Sequence, residues 1–258
     1  MGILNITPDS FYKESRVISV NTALKRADKM IREGADILDI GGESSRPGSD
    51  PVSEEEELKR ILPVINALIK KFDIPVSVDT YKSAVARAVL EEGVSIINDI
   101  SGLRFDPNMA KTIASANAGV IIMHISGKPK TMQKNPSYKS LMREITAYLK
   151  RGIKQAVSSG IKESSIIVDP GIGFGKKFSH NITILKKLKQ LQKLKKPILL
   201  GLSRKSFIGK ILDLPVEERL EGSIAASVFG IINGAQILRT HDVKETKRAL
   251  VVADAIVH

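Results

Sequence analysis

The chain has 258 residues with 40 Lys and Arg against 28 Asp and Glu, a formal net charge of +12. Hydrophobic residues make up 42% of it, which excludes general disorder, and the absence of Cys excludes disulfide scaffolds, thiolate metal sites and cysteine nucleophiles. The positive charge suits nucleic acid or small anionic substrates, but aromatic residues are only 4% of the chain, which disfavours a base-stacking surface.

The amino-terminal residues lack the basic region of a signal peptide. No apolar run approaches the ~20 residues that span a bilayer. We therefore expect a cytoplasmic protein that makes no membrane contact.

Eight short apolar runs recur along the chain, each followed by a longer amphipathic stretch. The runs cover 2–6, 36–40, 75–79, 95–99, 120–124, 165–169, 197–201 and 236–239. Several are apolar at successive positions rather than at alternate ones, which is typical of parallel strands covered on both faces.

The amphipathic stretches predict eight helices near 20–33, 53–71, 82–92, 107–117, 137–159, 180–194, 216–233 and 242–256. Eight βα units predict an α/β fold, a single-domain (β/α)8 TIM barrel over residues 1–258. An open doubly wound sheet is the alternative. The barrel is favoured because the unit count is eight and because no Gly-rich dinucleotide turn follows the first strand.

Polar side chains stand where the apolar runs stop, at the strand ends that carry the active site in such barrels. Asp79, Asn98 and Asp169 can hydrogen-bond to a flat, amino-substituted heterocycle. Four further residues form a cationic set suited to phosphate or carboxylate groups: Arg46, Lys205, Arg239 and His241. Together they predict a ligand with a polar ring at one end and anionic groups at the other.

Familiar catalytic motifs are missing from the sequence. Residues 171–176 and 201–206 both fail the P-loop pattern, and no G-x-S-x-G elbow or H-E-x-x-H zinc motif occurs. A P-loop enzyme, an α/β-hydrolase and a zinc hydrolase are therefore disfavoured.

Seven motifs follow one another along the chain at the predicted strand ends. They are Gly2-Ile3-Leu4-Asn5-Ile6-Thr7-Pro8-Asp9-Ser10-Phe11, Asp39-Ile40-Gly41-Gly42-Glu43-Ser44-Ser45-Arg46-Pro47-Gly48, Ser77-Val78-Asp79-Thr80, Ile97-Asn98-Asp99, Asp169-Pro170-Gly171-Ile172-Gly173-Phe174, Ser203-Arg204-Lys205-Ser206-Phe207 and Arg239-Thr240-His241-Asp242. In residues and in order they resemble the motifs of the dihydropteroate synthase family. The resemblance covers essentially the whole chain.

The resemblance implies a folate-pathway transferase. Such enzymes join p-aminobenzoate to dihydropterin pyrophosphate, and pyrophosphate leaves before the arylamine attacks. It also implies a homodimer with small-molecule substrates and no nucleic-acid partner, a Mg²⁺ ion near Asn5, and sulfonamides that compete with p-aminobenzoate.

The resemblance assigns residues to three parts of the site. The pterin ring would contact Asp79, Asn98, Met123, Asp169 and Lys205. The pyrophosphate would contact Asn5, Ser45, Arg46, Arg239 and His241. The p-aminobenzoate would contact Phe11, Pro47, Phe174 and Ser206. The catalytic group would be Asp79, Lys205, Arg239 and His241.

Two positions depart from the family pattern. Ser45 stands where the family usually has Thr, which keeps the hydroxyl and loses the methyl. In the first loop, Lys13 replaces an acid and the following glycines are missing, so this loop could treat the arylamine differently. The family often has a further segment before Met1, so a short form, a trimmed chain and a part of a longer polypeptide all stay open.

Two other functions stay open at this level. A pterin-binding corrinoid methyltransferase shares the barrel and the pterin acids but does not need the Ser203–Phe207 or Arg46–Gly48 segments. A nucleic-acid-binding protein is the alternative that is not an enzyme, and it rests on the +12 charge alone.

Overall fold

The structure is a computed structural model that describes residues 1–7 and 19–257. Each of the eight predicted strands is present. The strands are β1 (Gly2–Asn5), β2 (Leu38–Gly41), β3 (Val76–Asp79), β4 (Ile96–Asp99), β5 (Gly119–Met123), β6 (Ile166–Asp169), β7 (Leu199–Gly201) and β8 (Ile237–Arg239).

The strands close into a parallel barrel. Strands β1 to β6 pair in chain order, and β7 pairs with β8. A parallel bridge between Val168 and Ile198 joins β6 to β7, and a second bridge between Gly2 and Thr240 joins the end of β8 to β1. Since each strand runs in the same direction, all eight carboxyl ends meet at one mouth.

Helices cover the outside of the barrel and return the chain to the end at which the strands begin. They are α1 (Val20–Arg32), α2 (Glu54–Lys71), α3 (Ser83–Glu91), α4 (Met109–Ser115), α5 (Leu141–Ser158), α6 (Phe178–Lys186), α7 (Ser206–Leu212), α8 (Leu220–Ile232) and α9 (Val243–Val257). Helix α2 begins with a side-chain cap, because the Ser53 hydroxyl accepts a hydrogen bond from the Glu56 amide at 3.1 Å.

Two helix predictions were wrong in detail. The stretch 180–194 is not one helix: α6 ends at Lys186, and a 3₁₀ segment continues over Leu188–Leu194. The leucines of that segment recur every three residues, the period of a 3₁₀ helix, and Leu188, Leu191 and Leu194 are buried. Helix α7 was missed because its seven residues are too short to show a periodic pattern.

The alternation of strand side chains separates packing from chemistry. Outward residues such as Leu38, Ile40 and Ile97 are fully buried against the helices. Inward residues near the starting ends of the strands form a separate apolar layer: Met1, Ile37, Ile96, Ile121, Ile167, Leu199 and Ile237. Two residues further along the same faces, the inward positions become polar, with Asn98 following Ile96 and Arg239 following Ile237. The sequence therefore builds a barrel that is plugged by apolar side chains at one end and polar at the other.

Within the described residues, none of the helices combines the length and the apolar character needed to cross a bilayer.

Candidate active site

A cavity of about 180 Å³ lies at the mouth of the barrel, among the carboxyl ends of the strands. The loops that follow β2, β6 and β7 complete its wall. Ten of the residues expected from the sequence line it: Asn5, Ser45, Arg46, Pro47, Asp79, Phe174, Lys205, Ser206, Arg239 and His241. Residues that are 200 positions apart in the chain therefore share one site.

Three predicted site residues do not line the cavity itself. Asn98 is buried at the end of β4 and donates a hydrogen bond to Asp39 at 3.2 Å. Asp169, at the end of β6, accepts one from the Gly171 amide at 2.6 Å. Met123 packs in a small apolar cluster against which the Phe174 side chain also lies. Phe11 and Lys13 lie outside the described residues.

The Arg239 guanidinium bridges two carboxylates inside the mouth. Its Nε donates to Asp39 at 2.5 Å and its Nη2 donates to Asp79 at 3.1 Å. Asp39 is fully buried, and its second oxygen has no hydrogen-bond partner among the described residues. Burial lowers the pKa of Arg239, but the two carboxylates outweigh this effect, so the pKa lies above its usual value. The arginine therefore stays charged and fixed in place.

The acids of the mouth hold their protons unusually tightly. Burial raises the pKa of Asp79 to about 7, although Arg239 opposes the rise. Burial also raises the pKa of Asp169 to about 6 against the hydrogen bond from Gly171 and the charge of Lys205. A ligand that donates hydrogen bonds to these carboxyls would favour their ionised forms.

His241 does not belong to the cationic set predicted from the sequence. Burial, followed by the charge of Arg239, lowers its pKa to about 3, so the imidazole is neutral at physiological pH. Its Nδ1 lies 3.0 Å from the Ser203 hydroxyl. Lys205 keeps its charge at neutral pH, although burial lowers its pKa to about 8, and its Nζ lies 4.5 Å from the centre of the Phe174 ring.

Arg204 fastens the loop after β7 to the loop after β8. Its Nε and Nη2 donate to the two oxygens of Asp242 at 2.9 and 2.8 Å, a bidentate geometry that lysine cannot reproduce. Its Nη1 donates to the carbonyls of Val216 and Glu217. Arg204 is buried and Asp242 is largely buried, so the pair fixes the backbone next to Lys205 and next to His241.

The loop after β2, which carries Ser45 and Arg46, has an anchor of its own. Lys82 Nζ donates to Glu43 at 2.6 Å and to the buried Glu57 at 2.5 Å. The Tyr81 hydroxyl donates to the other Glu43 oxygen at 2.6 Å. The loop is thereby tied to the start of α3 and to α2.

The residues of the cavity fit Mg²⁺ only together with a phosphate ligand. No group of three or more His, Cys, Asp or Glu side chains in residues 1–7 and 19–257 could hold a metal by itself. Asn5, however, brings an amide oxygen to the cavity wall. Mg²⁺ usually binds through one or two protein oxygens plus substrate phosphates, so this wall suits an ion that binds with a pyrophosphate.

Comparison with known proteins places the chain in a family. The sequence profile of the pterin binding enzymes matches residues 1–241. The dihydropteroate synthase of Clostridium beijerinckii is 48% identical over 258 residues, which is 100% of this chain and 93% of that protein. The chain belongs to the dihydropteroate synthase family. It is a transferase of folate biosynthesis.

Solved dihydropteroate synthase structures share the whole fold. The enzyme from Yersinia pestis with a sulfonamide drug complex superimposes with a TM-score of 0.96 at 42% identity, covering 99% of this chain and 92% of that one. The enzyme from Thermus thermophilus in complex with 4-aminobenzoate gives a TM-score of 0.89 at 39% identity, covering 99% and 93%. The TIM-barrel prediction is confirmed.

Sequence reasoning missed three residues that hold this synthase site together. Asp39 interrupts an apolar strand, and a charged residue inside a barrel strand is a signal that could have found it. Lys176 was noted only as part of a failed P-loop pattern, yet it is buried beside the site. Nothing in the sequence indicates that Asp242 forms an ion pair, because its partner Arg204 lies 38 positions away.

Replacing Arg204 with Met should destabilise the protein and reduce its activity. Removing one partner of a buried ion pair costs about 3–5 kcal/mol because the other charge is left uncompensated. Urea unfolding measures the loss, and the exposed Arg143→Met is the matched control. Arg204→Lys should recover little of the loss. An Arg204→Met variant as stable as the control would show that the pair does not fasten the two loops.

Proposed function

We propose that the chain joins p-aminobenzoate to dihydropterin pyrophosphate in the cavity at the barrel mouth. The observation that carries the proposal is the convergence on one cavity of the carboxyl of Asp79, the ammonium of Lys205 and the guanidinium groups of Arg46 and Arg239. This set matches a polar ring joined to a doubly phosphorylated arm.

The pterin ring would lie deepest, next to the polar ends of β3, β4 and β6. Asp79 and Asp169 would accept hydrogen bonds from the ring nitrogens, and Asn98 and Lys205 would contact its remaining edge. The raised pKa values of the two acids support this placement, because ring N–H donors would replace the solvation that burial removes.

The pyrophosphate would lie nearer the rim. Arg46 and Arg239 would bind its charge, and the Ser45 hydroxyl, Asn5 and the neutral His241 would complete its hydrogen bonds. Arg239 is suited to this task because it keeps donors for a ligand. Its Nε donates to Asp39 and its Nη2 donates one hydrogen bond to Asp79, whereas its Nη1 makes no hydrogen bond within the described residues. A preorganised cation of this kind stabilises charge as it develops.

The p-aminobenzoate would enter last, against Pro47, Phe174 and Ser206. Phe174 offers an apolar face for the aromatic ring, and the Lys205 ammonium beside it suits electron-rich or anionic groups. Phe11 of the first loop stays a predicted contact.

The reaction is a displacement at the methylene carbon of the pterin. The carbon–oxygen bond breaks, and its electron pair leaves with the pyrophosphate, where Arg46 and Arg239 stabilise the negative charge. The Asp79 carboxylate stabilises the positive charge left on the pterin. The arylamine nitrogen then forms the new bond to the carbon and releases its proton. No side-chain nucleophile is required.

A Mg²⁺ ion would bind with the pyrophosphate at Asn5 and would neutralise part of the leaving group's charge. The homodimer and the cytoplasmic location expected from the sequence stay predictions. A corrinoid methyltransferase is not favoured, because the relatives that match over the full chain are dihydropteroate synthases.

Asp79→Asn should lower kcat by about 10²–10³-fold, because it removes a preorganised charge from a closed site. Its melting temperature should stay close to that of the parent, since the amide can still accept a bond from Arg239. Steady-state release of pyrophosphate is the measurement, with Asp73→Asn, an exposed residue at the opposite end of β3, as the control. More than a tenth of the parent activity in the Asp79 variant would contradict the assignment.

Pterin affinity should rise with pH and then level off. Asp79 must lose its proton to accept bonds from the ring, so the association constant should rise about tenfold per pH unit up to a pKa of about 7. Below pH 6 the slope should be steeper, because Asp169 is then protonated as well. Fluorescence titration of a pterin between pH 5 and 8 tests this, and Asp79→Asn should flatten the profile above pH 6. A flat profile for the parent protein would count against ionised acids in the ring site.

Chelation should stop turnover, and added Mg²⁺ should restore it. The cavity has cations for the phosphates but no carboxylate cage within the described residues, so the metal should depend on the pyrophosphate for its affinity. Calorimetry should therefore detect Mg²⁺ binding only when pyrophosphate is present. Full turnover in excess chelator would refute the requirement, and tight Mg²⁺ binding without pyrophosphate would refute the shared site.

A further inference from the structure

The loop between β6 and α6, residues 170–177, lies directly on the backbone that follows β5. A Cβ atom on Gly171 would lie 2.0 Å from the His124 carbonyl oxygen, and one on Gly175 would lie 2.3 Å from the Ser126 carbonyl oxygen. Only glycine permits so close an approach. The loop is therefore docked on the neighbouring segment rather than standing free above the mouth.

Three successive carbonyls of this loop each accept a hydrogen bond from a side chain that does not line the cavity. Gln133 donates to Gly173 at 2.7 Å and Tyr138 donates to Gly175 at 2.7 Å. Between them, Lys176 Nζ donates to the Phe174 carbonyl at 2.9 Å. The backbone that carries the Phe174 ring is thus held on both sides.

Lys176 is the buried member of this set. It is 3% exposed, and its Nζ also lies 2.9 Å from His124 Nδ1 and 3.3 Å from the His124 carbonyl oxygen. Burial lowers the pKa of Lys176 to about 7, although the charge of Asp169 opposes the change. The three acceptors around Nζ match the three N–H donors of the ammonium form, and in that form Nδ1 accepts, so the neutral histidine carries its proton on Nε2. Burial and the charge of Lys176 lower the pKa of His124 to about 2, which agrees with this tautomer.

Lys176 does not line the cavity, so it does not touch the substrates there. We propose that Lys176 is a positioning residue for the arylamine: by tying the Phe174 carbonyl to His124, it holds the Phe174 ring in place opposite Lys205. This inference rests on the proposed function, which assigns Phe174 to p-aminobenzoate. The two acids assigned to the pterin ring lie at strand ends rather than on this loop. Only Asp169 contacts the loop, where it accepts the hydrogen bond of the Gly171 amide.

The effect of losing Lys176 should therefore separate the two substrates. Displacement of a contact group by about 1 Å can cost up to about a hundredfold in reactivity. We expect Lys176→Met to lower kcat/KM for p-aminobenzoate by between about tenfold and about a hundredfold, chiefly through a rise in its KM. The KM for the pterin pyrophosphate should rise clearly less than the KM for p-aminobenzoate, because Asp79, Asn98 and Lys205 lie outside this loop.

The experiment compares four variants of the full chain in steady-state kinetics and in direct binding of a sulfonamide. Lys176→Met removes all three hydrogen bonds, and Lys176→Gln, which keeps a donor, should show a smaller rise in KM. Lys177→Met is the matched control, because that lysine is exposed and should behave as the parent. Phe174→Leu measures the contribution of the ring itself. Melting temperatures report on folding, and Lys176→Gln carries the test if the Met variant does not fold.

A merely structural lysine would lower the melting temperature and kcat without changing the ratio of the two KM values. That result, or an equal rise in both KM values, would overturn the inference. If Phe174→Leu weakens p-aminobenzoate binding while both Lys176 variants bind it normally, the inference fails and the proposed function stands. If Phe174→Leu binds p-aminobenzoate as the parent does, the assignment of Phe174 fails and takes the inference with it.

Discussion

The Arg239 guanidinium, held between Asp39 and Asp79, is the interaction on which the mouth of the barrel depends. It connects the last strand to the second and third strands across the barrel interior. Burial raises the pKa of Asp79, and the charge of Asp39 adds to the rise although Arg239 opposes it. The same contact orients a cation toward the space that a leaving pyrophosphate would occupy. One side chain thus links three strands and, in the proposed mechanism, also stabilises the leaving group.

Much of the fold could be predicted from the sequence, because parallel strands covered on both faces are apolar at successive positions. All eight strands were found, and their shared direction brought Asn5, Asp79 and Arg239 to one cavity as predicted. Helix ends were less certain. Helix α6 ends at Lys186 within an amphipathic stretch whose leucines continue without a break, and the 3₁₀ segment that follows packs against α5.

What the sequence could not predict are properties that arise from distant contacts. His241 has an ordinary sequence setting, yet burial among Arg239 and other cations makes it neutral. Arg204 appears in the sequence only as part of the Ser203–Phe207 motif, and the position of Asp242 in the fold is what shows that it forms an ion pair. Lys176 follows a glycine-rich segment that reads as a flexible loop, but the glycines allow close docking and the lysine is buried beneath it. Charge and burial at these positions are set by the fold.

The apolar layer at the starting end of the barrel affects the order in which substrates bind and products leave. Ile121, Leu199 and their neighbours fill the interior there, so among the described residues the barrel is closed at that end and molecules reach the site from the mouth. A ring that binds deepest must enter before anything that binds above it, and it cannot leave until the space above is clear. The depth at which each molecule binds would therefore set the order of binding and release. The product that joins the pterin to the arylamine would stay in the site for as long as pyrophosphate stays at the rim. Release of the small anion would then govern how soon the next cycle can begin.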